Sequence, residues 1–212
     1  RIFFLFVNPI SFILYLIFPS KGKELKVRTP IGKVGIIMRN RQSARTLYSI
    51  FVREDYFIDK KTKNILDLGS NIGISALYFL TRNKKNRIYC VEPDPNNAYF
   101  LKRNLKCFMN RAIISYRAIT SDIEKYKKFN LSFDGKYSSL KDIGKIHDKQ
   151  IKVKTITLNE ILKEDFFKNK LPILLKIDIE GLEKEVIDSF DFKNNPRLIQ
   201  LIVEGTGYKD NV

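Results

Sequence analysis

A chain of 212 residues with 44% hydrophobic content can bury a full core, which excludes wholesale disorder. Two cysteines without metal-type spacing exclude a disulfide framework and fit a reducing compartment. The 39 Lys and Arg against 23 Asp and Glu leave +16. That excess suits an anionic partner such as lipid headgroups, a glycan or RNA, and a solvated lysine-rich surface accounts for it equally well.

The charge is concentrated at the front, where residues 1–63 hold 13 basic and 4 acidic residues, a net of +9. Residues 1–20 form an apolar N-terminal segment. Ile2 to Phe18 is interrupted only by Asn8, Pro9 and Ser11. A spanning helix needs roughly 20 apolar residues, so this run is short and contains a proline. It reads as a membrane-associated helix, the end of a longer span, or a helix covering the following domain, and membrane association is the expectation carried forward. Lys21, Lys23, Lys26 and Arg28 follow it and would keep that domain on the cytoplasmic side, at the face of the membrane. No small-residue cleavage site follows, which disfavours a signal peptide.

Residues 21–63 form a lead-in. Glu24 to Met38 reads as two short strands around Thr29-Pro30-Ile31-Gly32, and Thr46 to Phe57 as a helix with Leu47, Ile50, Phe51 and Tyr56 on one face. That helix would cap the main sheet or close over a ligand.

Residues 64–212 carry the chemistry. Ile65 to Leu68 is an apolar strand, followed by Gly69-Ser70-Asn71-Ile72-Gly73 and at once by a helical pattern. Strand, glycine turn and helix bring backbone N–H groups and a helix N-terminus to a ligand. The spacing is G-x-x-x-G behind Asp67, and Asn71 stands where a dinucleotide dehydrogenase has its second glycine. A second strand, Arg87 to Val91, ends in Glu92, placed to accept hydrogen bonds from a ribose. A helix from Asn97 to Leu105 and a third strand from Ile113 to Ile119 follow, ending in Thr120-Ser121-Asp122. Alternating strands and helices imply an open, mainly parallel α/β sheet with helices on both faces, a Rossmann-like arrangement.

The middle stretch contains a turn signal at Asp134-Gly135 and an alternating strand over Ile151 to Thr157, well placed as a lid or substrate wall. His147, the only histidine, reads as an exposed loop residue before it reads as a base. Leu171 to Ile177 is a buried strand ending in Asp178-Ile179-Glu180-Gly181, and Lys176 within it calls for an acidic partner. If this strand flanks the first, Asp178 and Glu180 face Glu92 across the switch-point crevice. Glu183 reads as a helix N-terminal acid. Magnesium at Asp178 and Glu180 is conceivable, and the sequence does not require a metal. Arg197 to Glu204 is a further strand.

The segments Ile65 to Gly73, Val91 to Asn97, Thr155 to Leu162 and Leu174 to Ile187 together resemble the FkbM-type family of S-adenosylmethionine-dependent methyltransferases. The likeness covers roughly residues 25–204 and is carried most specifically by the KIDIEGLE block. It implies a seven-stranded sheet whose C-terminal strand pair this chain does not show. It also implies S-adenosylmethionine as cofactor. Asp67, Gly69, Ser70, Asn71 and Gly73 would lie around its methionine end, Glu92 at its ribose, and Ala118, Ser121 and Asp122 near its adenine. The acceptor it implies is a hydroxyl on a sugar, glycan, lipid-linked or small molecule. Asp178 is the candidate proton acceptor and Glu180 the second. An RNA methyltransferase, a nicotinamide-dependent oxidoreductase and a non-catalytic membrane-associated module are the alternatives, with nucleic acid below the hydroxyl acceptors.

Overall fold

The computed structural model describes residues 1–132, 138–140 and 149–204, so His147 and Asp134-Gly135 lie outside the described residues. The apolar front end forms two short helices, α1 (Ile2–Leu5) and α2 (Pro9–Ile17), instead of one. Phe6 breaks them apart in an extended conformation and bridges Val27. Asn8 caps α2 by accepting from the Ser11 amide, and Pro9 occupies the first turn, where no amide donor is needed. The hairpin β1 (Glu24–Thr29) and β2 (Gly32–Ile37) follows as expected. The helix expected over Thr46 to Phe57 starts earlier, as α3 (Arg41–Leu47), and continues as a π-helix over Tyr48–Arg53. Glu54, with φ of 59°, ends it.

The main sheet is built from β3 (Asn64–Leu68), β4 (Arg87–Val91), β5 (Ala112–Ser115), β9 (Ile173–Ile177) and β10 (Leu198–Val203). Its order is β10-β9-β3-β4-β5 and all its pairs are parallel. Helices α4 (Ile74–Arg82), α5 (Pro95–Asn104) and α7 (Glu183–Asp188) connect or follow these strands. The third strand is split. β5 pairs with β4, whereas β6 (Ala118–Ile119) leaves to pair with β8 (Lys149–Ile156) in a second sheet completed by β7 (Tyr126–Leu131). Arg117 fixes the break by donating to Ser115 Oγ at 2.7 Å and to Tyr89 Oη and Glu164 Oε1 at 2.6 Å each. The short α6 (Leu158–Ile161) opens with a capping box between Thr157 and Glu160.

Strand alternation divides the core into two layers. Ile65, Ile88, Cys90 and Leu174 face the layer made by the N-terminal elements, α4 and α5. Leu66, Tyr89, Val91, Leu175 and Ile177 face the other, with Phe166, Phe167 and Val186. Helix α4 is buried on every side from Ile74 to Thr81. The reason is that it lies between the sheet and a second layer, residues 41–58. Tyr56 stacks on Phe79 at 5.6 Å, Phe51 meets Tyr78 edge-on at 5.2 Å, and the Tyr78 hydroxyl donates to the Tyr56 carbonyl.

Candidate active site

The switch point lies between β3 and β9, the central strand and the strand reached after the long crossover. Ligands bind beyond the carboxyl ends of strands at such a point. A cavity of about 530 Å³ opens there, within the usual range for a small-molecule site.

Its floor follows from register. Asp67 in β3 lies beside Lys176 in β9 and Cys90 in β4, so all three project to the same side of the sheet. Lys176 is buried, with Nζ 2.9 Å from the Gly69 carbonyl, 3.2 Å from Asp67 Oδ1 and 3.3 Å from Asp178 Oδ2. Burial alone would lower its pKa, but Asp67 and Asp178 outweigh that and hold it well above the ordinary lysine value. Asp67 Oδ2 accepts from Ser75 Oγ at 2.7 Å, while Oδ1 has only the lysine charge beside it and no hydrogen bond. The acid partner expected for Lys176 is thus a pair of acids.

The glycine turn is shaped mainly by the protein itself. A Cβ on Gly69, at φ of +77°, would lie 1.7 Å from the Asp178 carbonyl oxygen. One on Gly73, at φ of +87°, would lie 2.7 Å from Leu101 Cδ1. These glycines let the tips of β3 and β9 touch and let α4 seat against α5. Asn71 also adopts a left-handed conformation, φ 50°, and its side chain accepts from the Ile72 amide at 2.8 Å.

Glu92 is buried and clamps the turn. Its Oε2 accepts from the Asn71 amide at 2.8 Å and its Oε1 from the Asp94 amide at 2.9 Å. Burial, then the Asp94 charge, raises its pKa to about 7. Asp94 caps α5 through the Asn96 amide and is 3.7 Å from Arg39.

On the far side, Glu204 at the end of β10 and Tyr56 from the N-terminal layer meet Asp178. The Tyr56 hydroxyl donates to Glu204 Oε1. Loss of solvent around the carboxyl, then the Asp178 charge, raises the Glu204 pKa. Burial raises that of Tyr56. Glu183 organises the Asp178 turn by accepting from the Ile179 and Gly181 amides at 3.0 and 2.9 Å. Glu183 is also in the first turn of α7, as expected for a helix N-terminal acid, and the two amide contacts add to that role.

Of the residues singled out from sequence, Gly69, Ser70, Asn71, Glu92, Ala118, Asp178 and Glu180 line the cavity. Asp67 lies in the wall behind it, where its contacts are Lys176 and Ser75, and Gly73 packs on Leu101. Asp122 is outside the lining, its carboxylate paired with Lys127. Phe129, Ser138 and Leu140 bring the middle stretch into the wall. Tyr56 and Glu204 were missed. Glu204 carried the same signal as Glu92, an acid closing an apolar strand, although β10 is half-exposed where a buried strand is expected. Tyr56 was legible only as an apolar helix position. Among the described residues no cluster of three or more His, Cys, Asp or Glu is arranged for a metal.

The fold and cavity define an open, doubly wound α/β protein with a cavity of small-molecule size at its switch point. The family model described as the methyltransferase FkbM domain matches residues 67–211, and the chain belongs to that family. A solved structure of methyltransferase FkbM from Methylobacillus flagellatus KT is similar at 16% identity and a TM-score of 0.43, over 68% of this chain and 32% of that one. A putative transferase from Pyrococcus horikoshii is similar at 14% identity and a TM-score of 0.32, over 50% and 45%. The chain thus spans about a third of the first and under half of the second. No curated protein matches it.

Proposed function

We propose that this chain is an S-adenosylmethionine-dependent O-methyltransferase acting on a hydroxyl of a sugar, glycan, lipid-linked or small-molecule acceptor. The observation that carries the reading is the acidic lining. Asp55, Glu92, Asp178, Glu180 and Glu204 face the cavity, against Arg45 and a Lys176 already shared between two carboxylates. Such a lining favours a cationic sulfonium and a neutral alcohol, and opposes a phosphate-rich acceptor such as RNA.

The residues present suit the cofactor. Glu92 offers the carboxylate for a ribose, Ala118 and Ile119 an apolar wall for a base, and the Ser70-Asn71 turn the polar rim between them. When bound, S-adenosylmethionine supplies an electrophilic methyl group whose transfer extinguishes the sulfonium charge. Asp178 is the proton acceptor for the alcohol, held in place by Lys176, and Glu204 with Tyr56 fixes its other side. Glu180, from the same turn, orients the acceptor.

The test is calorimetric titration with S-adenosylmethionine, followed by transfer of a labelled methyl group to glycans and lipid-linked sugars. Asp178→Asn is expected to bind the cofactor with near-parental affinity and lose turnover by about 10²-fold or more. Absence of cofactor binding in the parent would overturn the reading. Loss of binding in Asp178→Asn alone would move that residue into the cofactor site.

A further inference from the structure

The N-terminal helices bury only one side. In α2, Phe12 and Tyr15 face the core, and Phe12 stacks on Phe6 at 4.1 Å. Ile10, Ile13, Leu14 and Ile17 recur at three- and four-residue spacing on the opposite side, and all are exposed. Phe4 is 83% exposed on α1 and Phe18 is 74% exposed just beyond α2. Isolated exposed apolar residues are ordinary, but a contiguous stripe of this length marks an interaction surface.

Cations bracket this stripe. Arg28 donates to the Phe4 carbonyl at 3.2 Å, and Arg41 donates to the Ile17 carbonyl at 3.1 Å, so exposed guanidinium groups stand at both ends of the α1–α2 unit. Lys21 and Lys23 follow immediately, both exposed, and no acidic residue occurs before Glu24. With nine residues, α2 is about 14 Å long, against a hydrocarbon core of about 30 Å. No helix among the described residues is long and apolar enough to cross a membrane.

We infer that α1 and α2 form an interfacial platform that lies flat on an anionic lipid surface, apolar stripe in the acyl boundary and basic ends at the headgroups. A second copy of the chain fits less well, because the cations bracketing one stripe would be brought against those of the other.

The platform also has a bearing on the acceptor. Arg41, tied to the end of α2, is the first residue of α3, and Asn40, Gln42 and Arg45 beside it line the cavity. One wall of the cavity is therefore built on the helix that holds the end of α2, which favours a hydroxyl acceptor carried on a lipid. This last step rests on the methyl-transfer reading, whereas the platform itself does not.

The test mixes the chain with vesicles of phosphatidylcholine, alone or with phosphatidylglycerol, and measures co-sedimentation. Binding to the anionic vesicles, weakened by salt, is expected. The combined variant Phe4→Ser, Leu14→Ser and Phe18→Ser alters exposed positions only, and should lower vesicle affinity by about tenfold or more with an unchanged circular dichroism melt. Lys21→Glu with Lys23→Glu should lower it through charge, with the apolar stripe intact. Equal sedimentation of parent and both variants would overturn the inference. Lipid-free dimerisation lost in the serine variant would overturn it too, by giving the stripe to a second copy. S-adenosylmethionine affinity in lipid-free buffer should be the same for parent and variants. Failure of the parent to bind it would remove the acceptor step and leave the platform standing.

Discussion

At the scale of single residues, Lys176 is the group on which the site depends. It satisfies the Gly69 carbonyl and stands between Asp67 and Asp178. Lys176→Met removes the charge and leaves Asp67 buried alone, at an expected cost of about 3–5 kcal/mol. Adding Asp67→Asn should recover part of that loss, which urea titration of the single and double variants would measure. Glu92 makes a pH-dependent contribution of the opposite kind. Its pKa rises from 4.5 to about 7 on folding, so between these values the folded chain holds a proton that the unfolded chain lacks. Stability from this group is therefore greatest below the lower value and falls as pH rises through about 7. The stability of the parent relative to Glu92→Gln should fall by about 3 kcal/mol across that window. A flat difference would show that Glu92 does not titrate there. Tyr56→Phe keeps the stacking on Phe79 and removes the bond to Glu204, with an expected cost of about 1–2 kcal/mol. The acids at the strand tips were legible because a polar residue ending an apolar run beside a glycine turn has few structural reasons to be there. The bond from Tyr56 to Glu204 was not, since it joins positions 148 residues apart with no local pattern.

Among the elements, the β3–α4 turn shows how a ligand-loop signature can have intramolecular causes. Gly69→Ala would push a methyl group into the Asp178 carbonyl at a left-handed backbone position. The expected loss is about 2–5 kcal/mol, together with separation of the two strand tips, and a thermal melt would report it. Asn104 is the matching tie on the other side of the turn. It accepts from the Ile37 amide at 2.7 Å and donates to the carbonyls of Ile37 and Ile72 at 3.1 and 2.7 Å. The hairpin and the glycine turn are thereby fastened to one side chain. Apart from β7, which was not expected as a strand, strand and helix types followed from periodicity, whereas the breaks did not. Phe6 leaves its helix to pair with Val27, Arg117 turns the chain between β5 and β6, and the π-helix follows α3 without interruption. The last two are tertiary effects on segments whose local sequence favours continuity, whereas Asn8 and Pro9 mark the start of α2 locally.

For the molecule as a whole, the boundary between residues 63 and 64 separates sequence patterns and not cores. The family model begins at residue 67, yet Phe6, Leu25, Ile36, Leu47 and Phe51 belong to the same hydrophobic layer as Ile65, Phe79 and Leu101. A chain beginning at Asn64 is therefore expected not to fold to a cooperative state, and calorimetry should show no unfolding transition for it. The periodicity of residues 46–57 showed a buried face. It could not show that the partner is α4, because a mostly apolar helix does not announce how many layers enclose it.

That enclosure has a consequence in time as well as in energy. Helix α4 is shut in by the sheet on one side and by Phe51 and Tyr56 on the other. Beyond its first turn, where Ile74 and Ser75 line the cavity, its amides are buried. They should exchange with deuterium only when the whole domain opens, more slowly than those of α2, whose outer face is already wet.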